Sequence, residues 1–213
     1  MSPRVLRLEE TPADEALAAF ADTARAGGLL IFPTDTVYGL GARADRDQPV
    51  QRIYEAKGRP GHLALPVLAA STQGARRAAA EWSPAAQALA EAVWPGPLTI
   101  VVPAWEGLSP LVTAGRGTVG LRVPDYPPLR GWLAACEFPV AVTSANRSGE
   151  AAATEARELP PELREAVDLL LDGGFCPGST PSTVVDVTSS PPRVLRTGPI
   201  TEQDILRALA KFL

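Results

Sequence analysis

Leu29-Leu30-Ile31-Phe32-Pro33-Thr34-Asp35-Thr36-Val37-Tyr38-Gly39-Leu40-Gly41 decides the reading of the fold. Leu29 to Phe32 is an apolar run too short for a helix, and it predicts a buried strand. It runs into a Pro/Gly-bounded turn holding two hydroxyls, a carboxylate and a phenol. Strand ends in α/β sheets are common ligand positions. Thr34 and Thr36 are therefore candidate ligand contacts, and the glycines permit close backbone approach. The same residues equally suit a turn whose Thr and Asp satisfy their own backbone, and the two readings stand side by side.

Working outward, strand-like and helix-like segments alternate. Val5 to Leu8 reads as a short strand. Thr11-Pro12 reads as an N-cap followed by proline at the first helical position, opening an Ala-rich helix that stops at Gly27. Pro49 to Ala56 reads as helix and Leu65 to Ala69 as strand. Ser71 and Ser83-Pro84 open two more helices, the second ending before the turn Trp94-Pro95-Gly96-Pro97. Leu98 to Val102, Val119 to Val123 and Val140 to Thr143 are β-like, with a helix over Pro127 to Cys136. A helix over Pro160 to Val167, strands at Leu169 to Leu171, Thr183 to Val187 and Val194-Leu195, and a helix capped by Thr201 complete the chain. The alternation predicts an α/β sheet covered by helices, and strands lacking an intervening helix predict a mixed one.

Composition narrows the function. The chain has 213 residues, 46% of them hydrophobic and 21% charged, which suits one compact domain over 1–213. The net charge of −4 argues against a protein whose main task is gripping nucleic acid. No apolar run approaches a membrane span, and Met1-Ser2-Pro3-Arg4 leads into Glu9 and Glu10 with no signal-peptide core. The expected location is the cytoplasm, where Cys136 and Cys176 stay reduced. With His62 the single histidine, a multi-histidine zinc site is impossible and any Ser-His-Asp triad would have to use that residue. No phosphate-binding P-loop run exists, and Gly39-Leu40-Gly41 lacks the third glycine of a dinucleotide fingerprint.

Three further segments can carry chemistry. Lys57-Gly58-Arg59-Pro60 projects a lysine and an arginine toward one anion, or else ends a helix with solvated cations. Lys57 and Lys211 are the only lysines among 20 basic residues, and Asn146 is the only asparagine, which draws attention to both interior positions. Thr143-Ser144-Ala145-Asn146-Arg147-Ser148-Gly149 follows an apolar strand and suits a phosphate- or ribose-contacting loop, or an ordinary turn. Gly178-Ser179-Thr180-Pro181-Ser182 can form an anion-binding nest, and Arg196 lies just past a short β run. The alternative there is a hairpin with a surface arginine.

In this order and combination the motifs identify a resemblance. The sequence resembles the YrdC/TsaC family of threonylcarbamoyl-AMP synthases over roughly residues 12–210. The matching stretches are P-T-D-T-V-Y-G-L-G, K-G-R-P, W-P-G-P-L-T at Trp94 to Thr99, L-R-V-P at Leu121 to Pro124, T-S-A-N-R-S-G and P-S-T-V-V-D. The resemblance implies an open, twisted, mixed parallel and antiparallel sheet flanked by helices, with a concave, positively charged pocket. It implies the short form of the family, without an extra C-terminal domain. It also implies that L-threonine, bicarbonate and ATP, with Mg²⁺ travelling on the nucleotide and no protein-held metal, give threonylcarbamoyl-AMP and pyrophosphate. A separate tRNA threonylcarbamoyl transferase complex would take the product, with a direct tRNA contact here left open and no membrane partner.

By the same resemblance Lys57, Arg59, Ser144 and Asn146 are the catalytic set. These four would contact ATP together with Thr118, Arg196 and the backbone near Ala152. Thr36 and Ser182 would contact threonine, Arg122 would pair with its carboxylate, and Thr34 and Tyr38 would shape its pocket. Leu63 and Leu68 depart from the family pattern, standing where relatives carry polar residues, which bears on amino-acid choice. Two alternatives remain: a non-enzymatic RNA-binding module on the same fold, and a carbamoyl-adenylate-forming relative of the kind found in hydrogenase-maturation proteins.

Overall fold

The structure is a computed structural model that describes residues 3–178 and 180–210. The N-terminal Met1-Ser2 reading, and the part of the proposed nest that falls on Ser179, lie outside these residues. Ten strands form one sheet: β1 (Arg4–Arg7), β2 (Leu30–Phe32), β3 (Gly39–Arg43), β4 (Val67–Leu68), β5 (Leu98–Pro103), β6 (Thr118–Arg122), β7 (Val140–Ser144), β8 (Leu169–Asp172), β9 (Thr183–Asp186) and β10 (Arg193–Arg196). Their order is β1-β8-β2-β3-β7-β4-β6-β5-β9-β10. The pairs β1/β8, β2/β8, β4/β6 and β5/β9 are parallel and the other five antiparallel, so the sheet is mixed, as the sequence predicts.

Around it lie α1 (Ala13–Arg25), α2 (Asp47–Lys57), α3 (Thr72–Arg76), α4 (Pro84–Val93), α5 (Pro110–Thr113), α6 (Pro127–Ala134), α7 (Pro161–Ala166) and α8 (Glu202–Ala210). Ser71 and Ser83 cap as expected, accepting from the amides of Gly74 and Ala86. Thr201 Oγ1 accepts from the Asp204 amide at 3.2 Å, and the Asp204 carboxylate accepts from the Thr201 amide at 3.0 Å. One cap differs from expectation: Pro12 rather than Thr11 occupies the N-cap of α1, with no side-chain cap, and helix begins at Ala13. Proline cannot supply a capping oxygen, and Asp14 and Glu15 in the first turn complement the helix dipole instead.

The sheet is buried unequally on its two faces, and that inequality makes the site. On one face Leu40, Val67, Ile100, Leu121, Ala141 and Val185 pack under Ile53, Leu89, Val112 and Ile205 of α2, α4, α5 and α8. On the other, α1 and α6 cover Leu30, Phe32, Val142 and Leu169, with Phe20 between Phe32 and Trp132 at ring separations of 5.3 and 5.5 Å. Burying each such ring contributes on the order of 1.5–3 kcal/mol. Those two helices reach over only part of this second face. Alternate residues of β5, β6 and β9 (Thr99 and Val101; Thr118, Gly120 and Arg122; Val184 and Asp186) point to the uncovered part and line a cavity of about 470 Å³.

Strand β3 was not expected, because Gly39 and Gly41 read as a turn. A Cβ on either glycine would lie 3.0–3.1 Å from the Phe32 ring. In this structure, therefore, the close approach that the glycines allow is made by Phe32. The strand survives its poor propensity because it pairs on both sides, with β2 and β7.

Candidate active site

The turn after β2 is held by its own hydroxyls. Thr34 Oγ1 accepts from the amides of Thr36 and Val37 at 3.0 and 3.2 Å and donates to the Val37 carbonyl at 2.7 Å. With that proton committed, Thr36 donates to Thr34 across 3.0 Å. Tyr38 is fully buried; its hydroxyl turns to the strand β8 exit, 2.8 Å from the Gly174 carbonyl and 3.3 Å from Asp172. Burial, chiefly, raises its pKa. The phenol is thus a structural tie within the core beside the cavity.

Arg122, on β6, is 7% exposed and meets this turn from across the sheet. Its Nη2 donates to both Asp35 oxygens at 2.7 Å, Nη1 reaches Thr36 Oγ1 at 3.3 Å, and Nε donates to the Gly96 carbonyl at 3.0 Å. Burial lowers the guanidinium's pKa and the Asp35 charge opposes that shift. Five N–H donors are available on arginine, so one on Nη1 is left for a ligand. Nearby, Ser182 and Thr99 share a 2.8 Å hydroxyl bond, and Arg196 donates to the Ser182 carbonyl at 2.8 and 3.0 Å and to its hydroxyl at 3.1 Å. The Arg196 pKa is lowered by burial first, then by the charges of Arg122 and Arg59.

Lys57 closes α2 and ties the motifs together. Its ammonium donates to the Ser144 carbonyl, to the Asn146 carbonyl at 2.7 Å and to Asn146 Oδ1 at 3.2 Å. The Asn146 amide nitrogen is spent on the carbonyls of Arg147 and Glu150 at 2.7 and 2.8 Å. Burial, and secondarily the Arg59 charge, pull the Lys57 pKa down to about 7, while three oxygens favour the charged form. Arg59 donates to the carbonyls of Leu63 and Ala64 at 3.1 and 2.9 Å.

Of the residues singled out from sequence, Thr34, Thr36, Tyr38, Arg122 and Ser182 line the cavity, as do Arg59, Thr118, Ser144 and Arg196. Lys57 and Asn146 stand behind its wall and shape the loop that includes Ser144. Ala152 also lies outside the lining; its neighbour Ala153 accepts from the Tyr38 amide at 2.9 Å. Leu63 and Leu68 do face the cavity, so the apolar departure falls inside the site. Sequence reasoning missed Asp35 as the partner of Arg122, Thr99 as the partner of Ser182, and Arg116 on the rim. Only Thr99 had a readable signal: a lone polar residue in the otherwise apolar strand β5 marks a face that meets polar partners.

Cys136 and Cys176 are both free, and burial pushes both thiols up to about 11, which makes them poor nucleophiles. Among the described residues no group of three or more His, Cys, Asp or Glu is placed to hold a metal ion, and no helix is long and apolar enough to cross a membrane.

A mixed, half-covered sheet with an arginine- and hydroxyl-lined cavity defines an α/β protein whose site lies on the open sheet face. The comparisons define the family. The model of the Sua5_yciO_yrdC family, described as "Telomere recombination", matches residues 22–198, and the chain belongs to this family. It is 37% identical to the "Threonylcarbamoyl-AMP synthase" of Pyrococcus abyssi (strain GE5 / Orsay), over 88% of this chain and 55% of that protein. It is likewise 37% identical to the protein of the same name from Bacillus subtilis (strain 168), over 90% of this chain and 56% of that one. The chain thus spans about half the length of these curated relatives. The crystal structure of P. abyssi Sua5 complexed with L-threonine superposes with a TM-score of 0.89 at 35% identity, over 97% of this chain and 61% of that one.

Proposed function

We propose that this chain makes threonylcarbamoyl-AMP from L-threonine, bicarbonate and ATP, supplying a tRNA-modifying transferase in the cytoplasm. The threonine amine and bicarbonate combine with loss of water to give an N-carboxylate. One oxygen of that carboxylate attacks the α-phosphorus, and the bond from that phosphorus to the bridging oxygen breaks to release pyrophosphate. The carrying observation is that one cavity holds both a buried arginine ringed by hydroxyls and further arginines without carboxylate partners. Arg122, already aligned by Asp35 and Gly96, offers its remaining Nη1 donor to the amino-acid carboxylate. Thr36 and Ser182 offer hydroxyls beside it. Arg59 and Arg196 neutralise phosphate charge, and Lys57 and Asn146 keep Ser144 in place through the backbone.

In-line displacement at phosphorus needs positioning and charge neutralisation rather than a protein nucleophile. This suits a cavity whose lining holds neither cysteine nor histidine. Mg²⁺ would travel on the ATP phosphates as part of that substrate. The apolar walls supplied by Leu68, which pairs with Arg122 across β4 and β6, and by Val142 suit a small methyl-bearing side chain beside the anchored carboxylate.

The test is pyrophosphate release from Mg-ATP and bicarbonate with and without L-threonine. Threonine-dependent release, lost in Arg122→Ala, is expected. Release that depends on a different amino acid would keep the mechanism and move the substrate. Absence of release with any amino acid, alongside tight RNA binding, would overturn the enzyme reading.

A further inference from the structure

We propose that Arg116 is a polyphosphate-binding residue on the rim of this cavity, one that grips the phosphates destined to leave rather than the nucleoside monophosphate end. The inference rests on the reading of this cavity as an ATP site, and its test separates the two. Arg116 lines the cavity yet is exposed, on the loop between α5 and β6. The loop's backbone is unusual. Gly115 and Gly117, on either side of Arg116, have φ of 72° and 67°, and Ala114 has φ of 50°, the only left-handed non-glycine among the described residues. A Cβ on either glycine would meet nothing within 4 Å, so the glycines serve the backbone conformation rather than packing. Ala114 is the left-handed C-cap that ends α5, and the two glycines carry the chain through the turn that places Arg116 at the cavity.

What the loop presents is a second guanidinium beside Arg59. Arg116 Nη2 donates to the His62 carbonyl at 2.8 Å, and Arg59 takes the next two carbonyls, of Leu63 and Ala64. Three successive backbone oxygens thus pin two arginines to one rim. Among the described residues neither of them, nor Arg196, has a carboxylate within 4.0 Å. The carboxylate in the cavity lining, Asp186, is engaged by Thr188 and lies 3.9 Å from Arg193. Three cations around one cavity, none paired with a carboxylate and with Asp186 the one acid in its lining, call for a ligand carrying several negative charges. Arg196 uses its guanidinium on Ser182 and Arg59 uses two donors on carbonyls, whereas Arg116 makes one bond and keeps the rest of its five donors. It is exposed, whereas Arg59 is half-buried. Those properties fit a residue that meets the outer phosphates at the mouth.

Dissociation constants for ATP, AMP and inorganic pyrophosphate, measured by calorimetry for wild type, Arg116→Gln and Arg116→Lys, test the assignment. Both substitutions are at an exposed side chain, and unchanged thermal unfolding will confirm folding. Arg116→Gln should weaken ATP and pyrophosphate about 10- to 100-fold, the range of a lost charge-assisted contact, and leave AMP and L-threonine within about twofold. Arg116→Lys should recover part of the loss, since a point charge replaces a fork. Equal weakening of ATP and AMP, or no weakening of either, would overturn the proposal while leaving the ATP-site reading intact. Wild-type protein that binds pyrophosphate through Arg116 but shows no threonine-dependent turnover would preserve this inference and sink the synthase reading.

Discussion

Two regions of the cavity wall carry arginine in opposite electrostatic states. At the Arg122 corner the guanidinium is buried and faces Asp35 at 2.7 Å, so the pair presents little net charge and a fixed direction. At the rim, Arg59, Arg116 and Arg196 are held by carbonyl and hydroxyl oxygens, which orient a cation without cancelling it. A neutralised arginine positions a ligand group, whereas un-neutralised arginines attract charge. That division suits an amino acid, which is itself nearly neutral, on one side and a triphosphate on the other.

The comparison can be broken most forcefully at Asp35. Removing it leaves Arg122 buried without a counter-ion, so Asp35→Ala should lose roughly 3–5 kcal/mol of unfolding free energy in chemical denaturation. A loss below about 1 kcal/mol would mean that the two regions do not differ as described. At the rim the effect should appear in binding. Arg59→Gln should raise the KM for ATP about tenfold or more and move that for threonine less than about twofold. A parallel rise in both would merge the regions into one site.

Lys57 provides a third state, a cation surrounded by carbonyl-type oxygens behind the wall, and it sharpens the comparison through pH. Its pKa falls from 10.5 to about 7, so the folded chain binds fewer protons here than the unfolded chain between those values. Its contribution to stability is therefore least favourable below pH about 7 and grows as pH rises toward the ordinary lysine value. With Lys57 and Lys211 the only lysines, carbon-13-labelled lysine gives a readily resolved spectrum. One resonance should titrate near 7; if neither signal titrates below about 9.5, the three oxygens hold the charge and the pH term vanishes.

Much of this was legible in the chain. The apolar runs at Leu29 to Phe32 and Leu98 to Val102 and the serine caps at Ser71 and Ser83 read correctly because local chemistry alone determines them. Strand β3 did not, because its glycines answer to the Phe32 ring rather than to their own propensity. The motif residues that line the cavity were visible as types. Their division of labour was not. That Tyr38 points its hydroxyl away, that Asn146 spends its amide on its own loop, and that Asp35 rather than solvent faces Arg122 all depend on pairings across the sheet. Arg116 carried no signal at all: an arginine between glycines in a loop reads as solvated until the carbonyls of His62 to Ala64 appear beside it.

The Lys57 clamp also bears on how the molecule is assembled. Its bonds span 87 and 89 residues of chain, and they join the end of α2, which follows β3, to the loop after β7, the strand paired with β3. Closing so long a loop is entropically slow but only logarithmically more costly than closing a short one. Ligand-binding competence should therefore be among the last properties to return on refolding, well after helical structure.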